Sequence, residues 1–210
     1  PVMAPGLAQR YPAIQTFRGW NPDNPRESIR LGFGPDKGFY ATIMADEGRV
    51  YIDQAGSAYI AYATRQNPNA QLYQEFRCEV EEQEEAHSTE TPAISERGLL
   101  MQATLRTYRL AMACTGEYTE YHGGTKEDAL EAMVLKVNRL NQLFERDLAI
   151  RVELIDNNDQ IIFTDPETDN LSTGNTGELL NQIGNIINAT IGLSNYDIGH
   201  VLNVHNDFVG

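Results

Sequence analysis

Three stretches in the second half of the chain decide its fold. They are YRLAMAC at 108–114, TKEDALEAMVLKVNRLNQLFER at 125–146 and IRVELI at 150–155. The first is a compact apolar run of the kind that forms a buried strand. The second opens with a helix-capping pattern at Thr125, and its apolar residues then recur at helical spacing. The third alternates as a strand does, so the three together predict strand, long amphipathic helix and strand.

The same rhythm continues toward the end of the chain. A polar loop over 164–175 precedes a second helix, which is predicted from apolar residues at helical spacing: Leu179, Leu180, Ile183, Ile186, Ile187 and Ile191. DIGHVLN at 197–203 then predicts a third strand. The order strand, helix, strand, helix, strand implies right-handed crossovers and a mostly parallel sheet. We therefore expect residues 105–210 to form one α/β unit.

Strands dominate the residues before this unit. Short runs rich in Tyr, Ile, Val and Phe, separated by turn residues, occur at 28–33, 38–44, 49–53, 58–64 and 73–80. They predict a β-rich module over 1–80 built as an antiparallel meander. Residues 79–97 read EVEEQEEAHSTETPAISER, which is too acidic and too poor in apolar side chains to pack, so 81–104 is predicted as a linker. The fold class is therefore α+β / α/β, with a β-rich module in front and a strand–helix–strand–helix–strand unit with a mostly parallel sheet behind.

Composition narrows the classes of partner. The 210 residues carry a formal net charge of −14 and are 41% hydrophobic, which is typical of a globular protein. Phosphate contacts require clustered Lys and Arg, so we expect no nucleic-acid partner. No apolar run is long enough to span a bilayer, so no membrane span is expected. The chain starts at Pro1 without a hydrophobic signal stretch, and we expect a signal peptide upstream.

Local strings in the second half resemble a known family of proteases. RTYRLAMACTGEYTEYHGG at 106–124, TGELLNQIGNIINATIG at 176–192 and NYDIGHVLN at 195–203 are similar to the N-terminal subdomain of reprolysin-type (adamalysin-like) metzincins, and most of all to bacterial secreted members. The resemblance implies a zincin-like subdomain over 105–210, and more loosely a pro-domain over 1–80. It also implies a secreted, extracellular zinc endopeptidase that acts on protein or peptide substrates.

The zinc-binding motif of that family does not occur in the chain. His-Glu-x-x-His-x-x-Gly-x-x-His supplies three zinc ligands and a general-base Glu. The four histidines of the chain do not form this string: His87, His122, His200 and His205. The resemblance then implies that the chain stops before the motif, is not catalytic alone and packs against its own downstream catalytic subdomain. The alternatives are a non-catalytic extracellular interaction module and an inactive member of the family.

Cys78 is the candidate latency residue. It lies in FRCEV at 76–80, just before the acidic linker. Metzincin propeptides hold the enzyme latent through a cysteine that takes the open zinc position, and the resemblance implies this role for Cys78, although Glu79 stands where the family strings have Gly. The other interpretation is an inert strand cysteine. Arg97 and Gly98 end the acidic stretch and form the candidate processing site.

The sequence favours structural roles for three other residues with reactive or titratable side chains. Cys114, at the end of the first apolar strand, is predicted to be a small buried hydrophobe, with a disulfide to a cysteine beyond residue 210 as the alternative. His122 is predicted to be solvated in a turn, and His200 to be packed or hydrogen-bonded on the last strand.

Zinc is therefore the cofactor expected in the full-length protein, and calcium is not carried over. Many reprolysins bind calcium through a Glu on the first strand, where this chain has Arg109. The DNND turn at 156–159 lacks the spaced ligands and the distal Glu of an EF-hand loop, and is predicted to be a hairpin-type turn.

Overall fold

The structure is a computed structural model that describes residues 1–24, 26–46, 48–63 and 104–204. Its first part holds a short helix and five strands: α1 (Pro5–Arg10), β1 (Gln15–Trp20), β2 (Ser28–Gly34), β3 (Gly38–Ala45), β4 (Gly48–Ala55) and β5 (Ala58–Ala63). The five strands form one antiparallel sheet in sequence order. We call this sheet the meander. It confirms the four described strand predictions and adds β1, whereas the run at 73–80 lies outside the described residues.

The second part holds three strands and three α-helices: β6 (Arg106–Cys114), α2 (Gly116–Tyr121), α3 (Lys126–Asp147), β7 (Ile150–Leu154), α4 (Thr176–Thr190) and β8 (Ile198–Leu202). The strands form a sheet in the order β7, β6, β8, and both pairings are parallel. We call it the parallel sheet. The predicted strand–helix–strand–helix–strand order and its parallel pairing are confirmed, so the described chain is a mixed fold with one antiparallel and one parallel sheet.

Helix α3 is the central element of the fold. A capping box fixes its start, because Thr125 accepts from the Asp128 backbone N–H while the Asp128 side chain accepts from that of Thr125. Its apolar side packs on β6 and β7 in the main core, through Ala129, Leu130, Ala132, Met133, Val134 and Val137. The other face of the parallel sheet is covered by α4, whose Ile183 and Ile187 pack with Ala111 and Ala113 of β6. The parallel sheet therefore lies between α3 and α4.

The first fourteen residues belong to the core of the second half. Met3 forms a parallel bridge with Leu154, and the two backbone hydrogen bonds around it, Ala4 N–H to the Leu154 carbonyl and Leu154 N–H to the Val2 carbonyl, measure 2.8 and 2.9 Å. Val2, Leu7 and Met3 are buried in the same cluster as α3. The chain start thus extends the parallel sheet beyond β7. The predicted boundaries at 80/81 and 104/105 border or lie in the undescribed residues 64–103, and stay predictions.

Candidate functional site

The carboxyl ends of β6 and β8 meet at one edge of the parallel sheet, where α/β proteins commonly place their sites. Thr115 follows β6, and its hydroxyl donates to the Asn203 side-chain oxygen, just past β8, at 2.9 Å. Its backbone N–H donates to the Leu202 carbonyl at 3.1 Å. The Gly116 N–H donates to the buried Asp169 carboxylate at 2.8 Å. This edge is therefore tied together by polar contacts between segments far apart in sequence.

Cys114, at the same edge, carries an unreactive thiol. The residue is fully buried, and its sulfur lies 3.4 Å from the Thr119 hydroxyl oxygen. Burial raises the pKa of the thiol to about 11, although the Thr119 contact opposes the rise. A thiol that stays protonated at neutral pH is neither a nucleophile nor a metal ligand. The interpretation of Cys114 as a small buried hydrophobe is confirmed.

The two described histidines, His122 and His200, lie in different environments. His122 is half-buried, with ring centroids 4.4 Å from Tyr118 and 5.0 Å from Tyr121. Burial, with a smaller contribution from nearby lysines, lowers its pKa to about 4, so it is neutral at physiological pH. The prediction of a solvated histidine was wrong because α2 turns Tyr118 against it. His200 lies on an exposed part of β8, but partial burial lowers its pKa, so a packed or hydrogen-bonded side chain stays a prediction.

An ion pair joins Arg109, in the first half of β6, to Asp197, just before β8. It lies on the amino-terminal side of the two strands, away from the edge described above. The Arg109 side chain donates to both carboxylate oxygens, at 3.2 and 2.8 Å, and its backbone N–H donates to one of them at 2.7 Å. These hydrogen bonds lower the pKa of Asp197 to about 2. The guanidinium also donates to the Ser194 carbonyl at 2.7 Å. A cationic side chain already neutralises this carboxylate, which disfavours a bound cation at this position.

The DNND turn serves as an anchor for α1. The Asp156 carboxylate accepts from the Gly6 and Leu7 N–H groups at 2.7 and 3.2 Å, where α1 begins. Asp159 pairs with Arg10 at 3.0 Å. The prediction of a hairpin turn was wrong, since a 3-10 helix at Asn158–Ile161 follows β7 instead. These carboxylates are already used to bind the front of the chain.

The meander packs on the side of α3 that faces away from the parallel sheet, and the contact is polar. Glu131 is 1% exposed, and its carboxylate accepts from the Asp36 and Lys37 N–H groups at 2.9 and 2.7 Å. It therefore caps the turn between β2 and β3. A Cβ at Gly34 would collide with this carboxylate, so the turn needs glycine there. Burial raises the pKa of Glu131, and the two backbone hydrogen bonds limit the rise.

A buried charge cluster forms the middle of this contact. The Arg30 side chain, 8% exposed, pairs with Glu145 at 2.5 Å and donates to the Asn138 side-chain oxygen at 3.2 Å. Arg151 pairs with the other Glu145 oxygen. Burial alone would raise the pKa of Glu145, but the hydrogen bonds from Arg151 and Arg30 outweigh it and hold the pKa below its usual value. Glu145 is therefore ionised among three cations: Arg30 and, at 3.5 Å, Arg18 from the meander, and Arg151 from β7.

Further hydrogen bonds extend the contact across the sheet. The Gln142 amide donates to the Ser28 and Thr42 carbonyls, each at 3.2 Å. Arg139 pairs with Asp53 at 2.5 Å, and its guanidinium lies 5.0 Å from the centroid of the Tyr51 ring. Strands β2, β3 and β4 are thus each bound to α3 by directional contacts.

Comparison with known proteins identifies the second half. The sequence model of the family described as metallo-peptidase family M12B, reprolysin-like, matches residues 104–209, which is half of the chain. The chain belongs to this reprolysin-like metallopeptidase family. Searches of the curated proteins and of the solved structures found no match.

The reprolysin-like residues that the structure describes do not include a metal site. Across 1–24, 26–46, 48–63 and 104–204, no group of three or more His, Cys, Asp or Glu side chains could hold a metal ion. Among the same residues, no helix is both long and apolar enough to cross a membrane. The predicted latency residue Cys78 and the predicted processing site Arg97–Gly98 lie outside the described residues, as His205 does. Their roles remain predictions.

Proposed function

We propose that the chain is the front part of a secreted zinc-dependent metalloendopeptidase. Residues 105–210 would form the N-terminal subdomain of its catalytic domain, and the preceding residues a pro-region. The observation that carries the proposal is the reprolysin-like match over 104–209, on residues that fold as three parallel strands with intervening helices. Membership of a protease family implies a protein or peptide substrate.

The residues of this chain do not fit a zinc site by themselves. The family motif is absent from the sequence, and the described residues contain no metal-ligating group. We therefore place the zinc ligands and the general-base Glu downstream of Gly210, where they would activate water for peptide hydrolysis. The part played by this chain is a scaffold: α3 and α4 hold the parallel sheet, and the Thr115–Asn203 contact fixes the edge at which β6 and β8 end.

The pro-region would also keep the enzyme latent through Cys78, with processing at Arg97–Gly98. Support comes from how the segment is tethered. Residue 63 ends β5 and residue 106 starts β6, and both strands are parts of the body built around α3. The fifteen residues from Ala63 to Cys78 can span at most about 50 Å, so the thiol stays within reach of this body. The buried contacts of α3 with Arg30 and of Glu131 with the β2–β3 turn hold the pro-region in place.

The experiment on catalysis uses the full-length product of the gene. After processing, we expect about one bound zinc per chain and cleavage of an unfolded protein substrate that a chelator abolishes and added zinc restores. The 210-residue chain should show no peptidase activity. A full-length protein that binds no zinc and cleaves nothing would contradict the proposal and favour the non-catalytic interaction module.

The experiment on latency compares the two cysteines in the same full-length protein. Cys78→Ala should speed the appearance of peptidase activity. Cys114→Ala removes the other thiol, which is buried and protonated, and should leave the lag before activity unchanged. An equal lag for Cys78→Ala and wild type would favour the inert strand cysteine.

A further inference from the structure

The face of the meander that points away from α3 is built largely of apolar residues, with the uncharged Gln15 and Gln54 in one of its rows. Because directly opposite residues in antiparallel strands share a face, the strand register assigns them in rows. The middle row runs across all five strands through Phe17, Leu31, Ala41, Ile52 and Ala61. None of these residues is polar.

The row on one side of it has the same character. It runs through Gly19, Ile29, Ile43, Val50 and Ala63, again across all five strands. Apart from the one glycine it consists of aliphatic side chains. We call the surface formed by these rows and their aromatic neighbours the outer face.

Aromatic rings line the other side of the middle row. Phe33 lies opposite Phe39, with ring centroids 5.2 Å apart, and Phe39 is 5.9 Å from Tyr59 on β5. Phe17 closes the series at 6.2 Å from Phe33. Phe17, Phe33 and Tyr59 are 49%, 45% and 56% exposed. A series of rings in contact across the sheet, with its end members half in solvent, is preformed for contact with another apolar surface.

The polarity of the meander departs from the usual arrangement, because the face toward α3 mixes polar and apolar residues while the outer face is largely apolar. An antiparallel sheet with one face on a core normally turns apolar residues inward and polar residues to water. Here the inward face carries Arg30, Thr42 and Asp53, which bind the polar side of α3, beside the buried Tyr40 and Met44. The rows of the outer face contain no charged side chain, in a chain whose formal net charge is −14. An apolar surface of this kind marks an interaction site.

We propose that the outer face packs against the same face of a second copy of this chain, as two sheets face to face. Five strands about 4.8 Å apart and about six residues long at ~3.3 Å each give a face of roughly 24 by 20 Å. Two such faces cover roughly 1,000 Å², which is the threshold for a specific interface and fits a weak dimer. A flat apolar face without charge is complementary to itself, as the twofold axis of a dimer requires. Face-to-face sheets pack about 10 Å apart, which lets the rings interdigitate.

The rest of this chain is a poorer occupant of the outer face. Residues 79–97 include seven glutamates, whose burial against an apolar surface would be costly. The stretches at 64–78 and 98–103 are each much shorter in sequence than the five strands to be covered taken together. A second five-stranded meander matches the face in both size and polarity.

Sedimentation equilibrium on the 210-residue chain tests the proposal, which does not depend on the proposed protease function. We expect a dimer of about 47 kDa, twice the 23.5 kDa of one chain, at tens of micromolar. Phe33→Glu puts a charge into the face and should raise the dissociation constant roughly tenfold or more. Tyr121→Glu makes the same chemical change on α2, where the ring is 71% exposed, and should leave the dimer intact.

Tyr59→Glu, on the far side of the face, decides the matter if Phe33→Glu fails to fold. The proposal is overturned if the wild-type chain is monomeric at these concentrations, or if a dimer persists unchanged in a folded Phe33→Glu or Tyr59→Glu variant. A wild-type monomer that sediments with phosphatidylcholine vesicles would overturn it in favour of a lipid surface. A monomer in which folded Phe33→Glu becomes sensitive to proteolysis would overturn it in favour of a cover supplied by the chain itself.

Discussion

The two sides of α3 are both buried, yet they are held by different forces. One side packs apolar residues against the parallel sheet, with Leu130, Met133, Val134 and Val137 fully excluded from water. The other side binds the meander through polar groups: Glu131, Asn138, Arg139, Gln142 and Glu145. The burial of apolar side chains stabilises the fold in proportion to the apolar area removed from water, and it does not depend on the direction of the contacts. Polar burial requires each partner to be in place, and leaving one unpaired is costly. The two sheets should therefore respond differently to substitution and to pH.

The largest effect is expected on the apolar side. Leu130→Ala should lower the free energy of unfolding by about 2 to 5 kcal/mol, because it removes a fully buried side chain and leaves a cavity. Urea denaturation measures it. Leu180→Ala on α4, where the side chain is 55% exposed, is the matched control and should change little. Equal losses for the two variants would show that Leu130 is not in the core.

The second-largest loss of stability is expected in the charge cluster on the polar side of α3. Glu145→Ala removes the carboxylate between Arg30 and Arg151 and leaves Arg30 a buried cation without its partner. We expect a loss of about 2 to 3 kcal/mol in the free energy of unfolding, below that of a fully buried pair because Glu145 retains some exposure. Glu120→Ala, at an exposed position on α2, is the control. A loss no larger than that of the control would mean that the cluster does not bind the meander.

Glu131→Gln should have a smaller effect. The amide keeps one acceptor oxygen but places an NH2 group against a backbone N–H, so one of the two hydrogen bonds to the β2–β3 turn is lost. The expected cost is about 1 to 2 kcal/mol. Hydrogen exchange should show faster exchange of the Asp36 and Lys37 amides in the variant. Unchanged exchange at both amides would show that the carboxylate does not cap the turn.

The sequence predicts the apolar side of α3 much better than the polar side. Apolar residues at helical spacing predict α3, and short apolar runs predict β6 and β7, because these patterns are long and periodic. From the sequence alone, Asn138 and Gln142 would be assigned to the solvent-facing side of α3, because helical spacing does not distinguish water from a polar partner. The structure shows both to be buried under the meander. The spacing of apolar residues therefore does not predict polar interfaces between distant segments.

The spacing of apolar residues also fails to predict short elements and long-range contacts. Helix α2 has six residues, too few for a periodic pattern, and the edge strand β1 alternates weakly because Gly19 interrupts it. The candidate site depends on contacts such as Thr115 with Asn203 and Asp156 with Gly6, which join residues 88 and 150 positions apart. No local signal encodes such pairs. Family strings, in contrast, predicted the reprolysin-like second half, and the family match bears this out.

The smallest effects concern pH, and the two glutamates on the polar side should act in opposite directions. The folded pKa of Glu145 is lowered, so its stabilising contribution is present above its unfolded pKa of 4.5 and is lost as the pH falls through the folded value. The folded pKa of Glu131 is raised, so its contribution is present below 4.5 and is lost as the pH rises through the folded value.

Urea midpoints between pH 3 and pH 7 measure both effects. Relative to wild type, Glu145→Gln should lose less stability on acidification below about pH 4.5. Glu131→Gln should lose less stability as the pH rises above that value. Parallel curves for all three proteins would contradict the assigned environments of the two carboxylates.

The front of the chain and the reprolysin-like half form one body around α3. A site for a specific protease, inserted between Arg97 and Gly98, tests it most directly by gel filtration after complete cleavage. We expect the two pieces to elute together, because Val2, Leu7 and the meander remain bound to the second half. They should separate only in denaturant. Separation under native conditions would contradict it and would show that the two halves are independent domains joined by a linker.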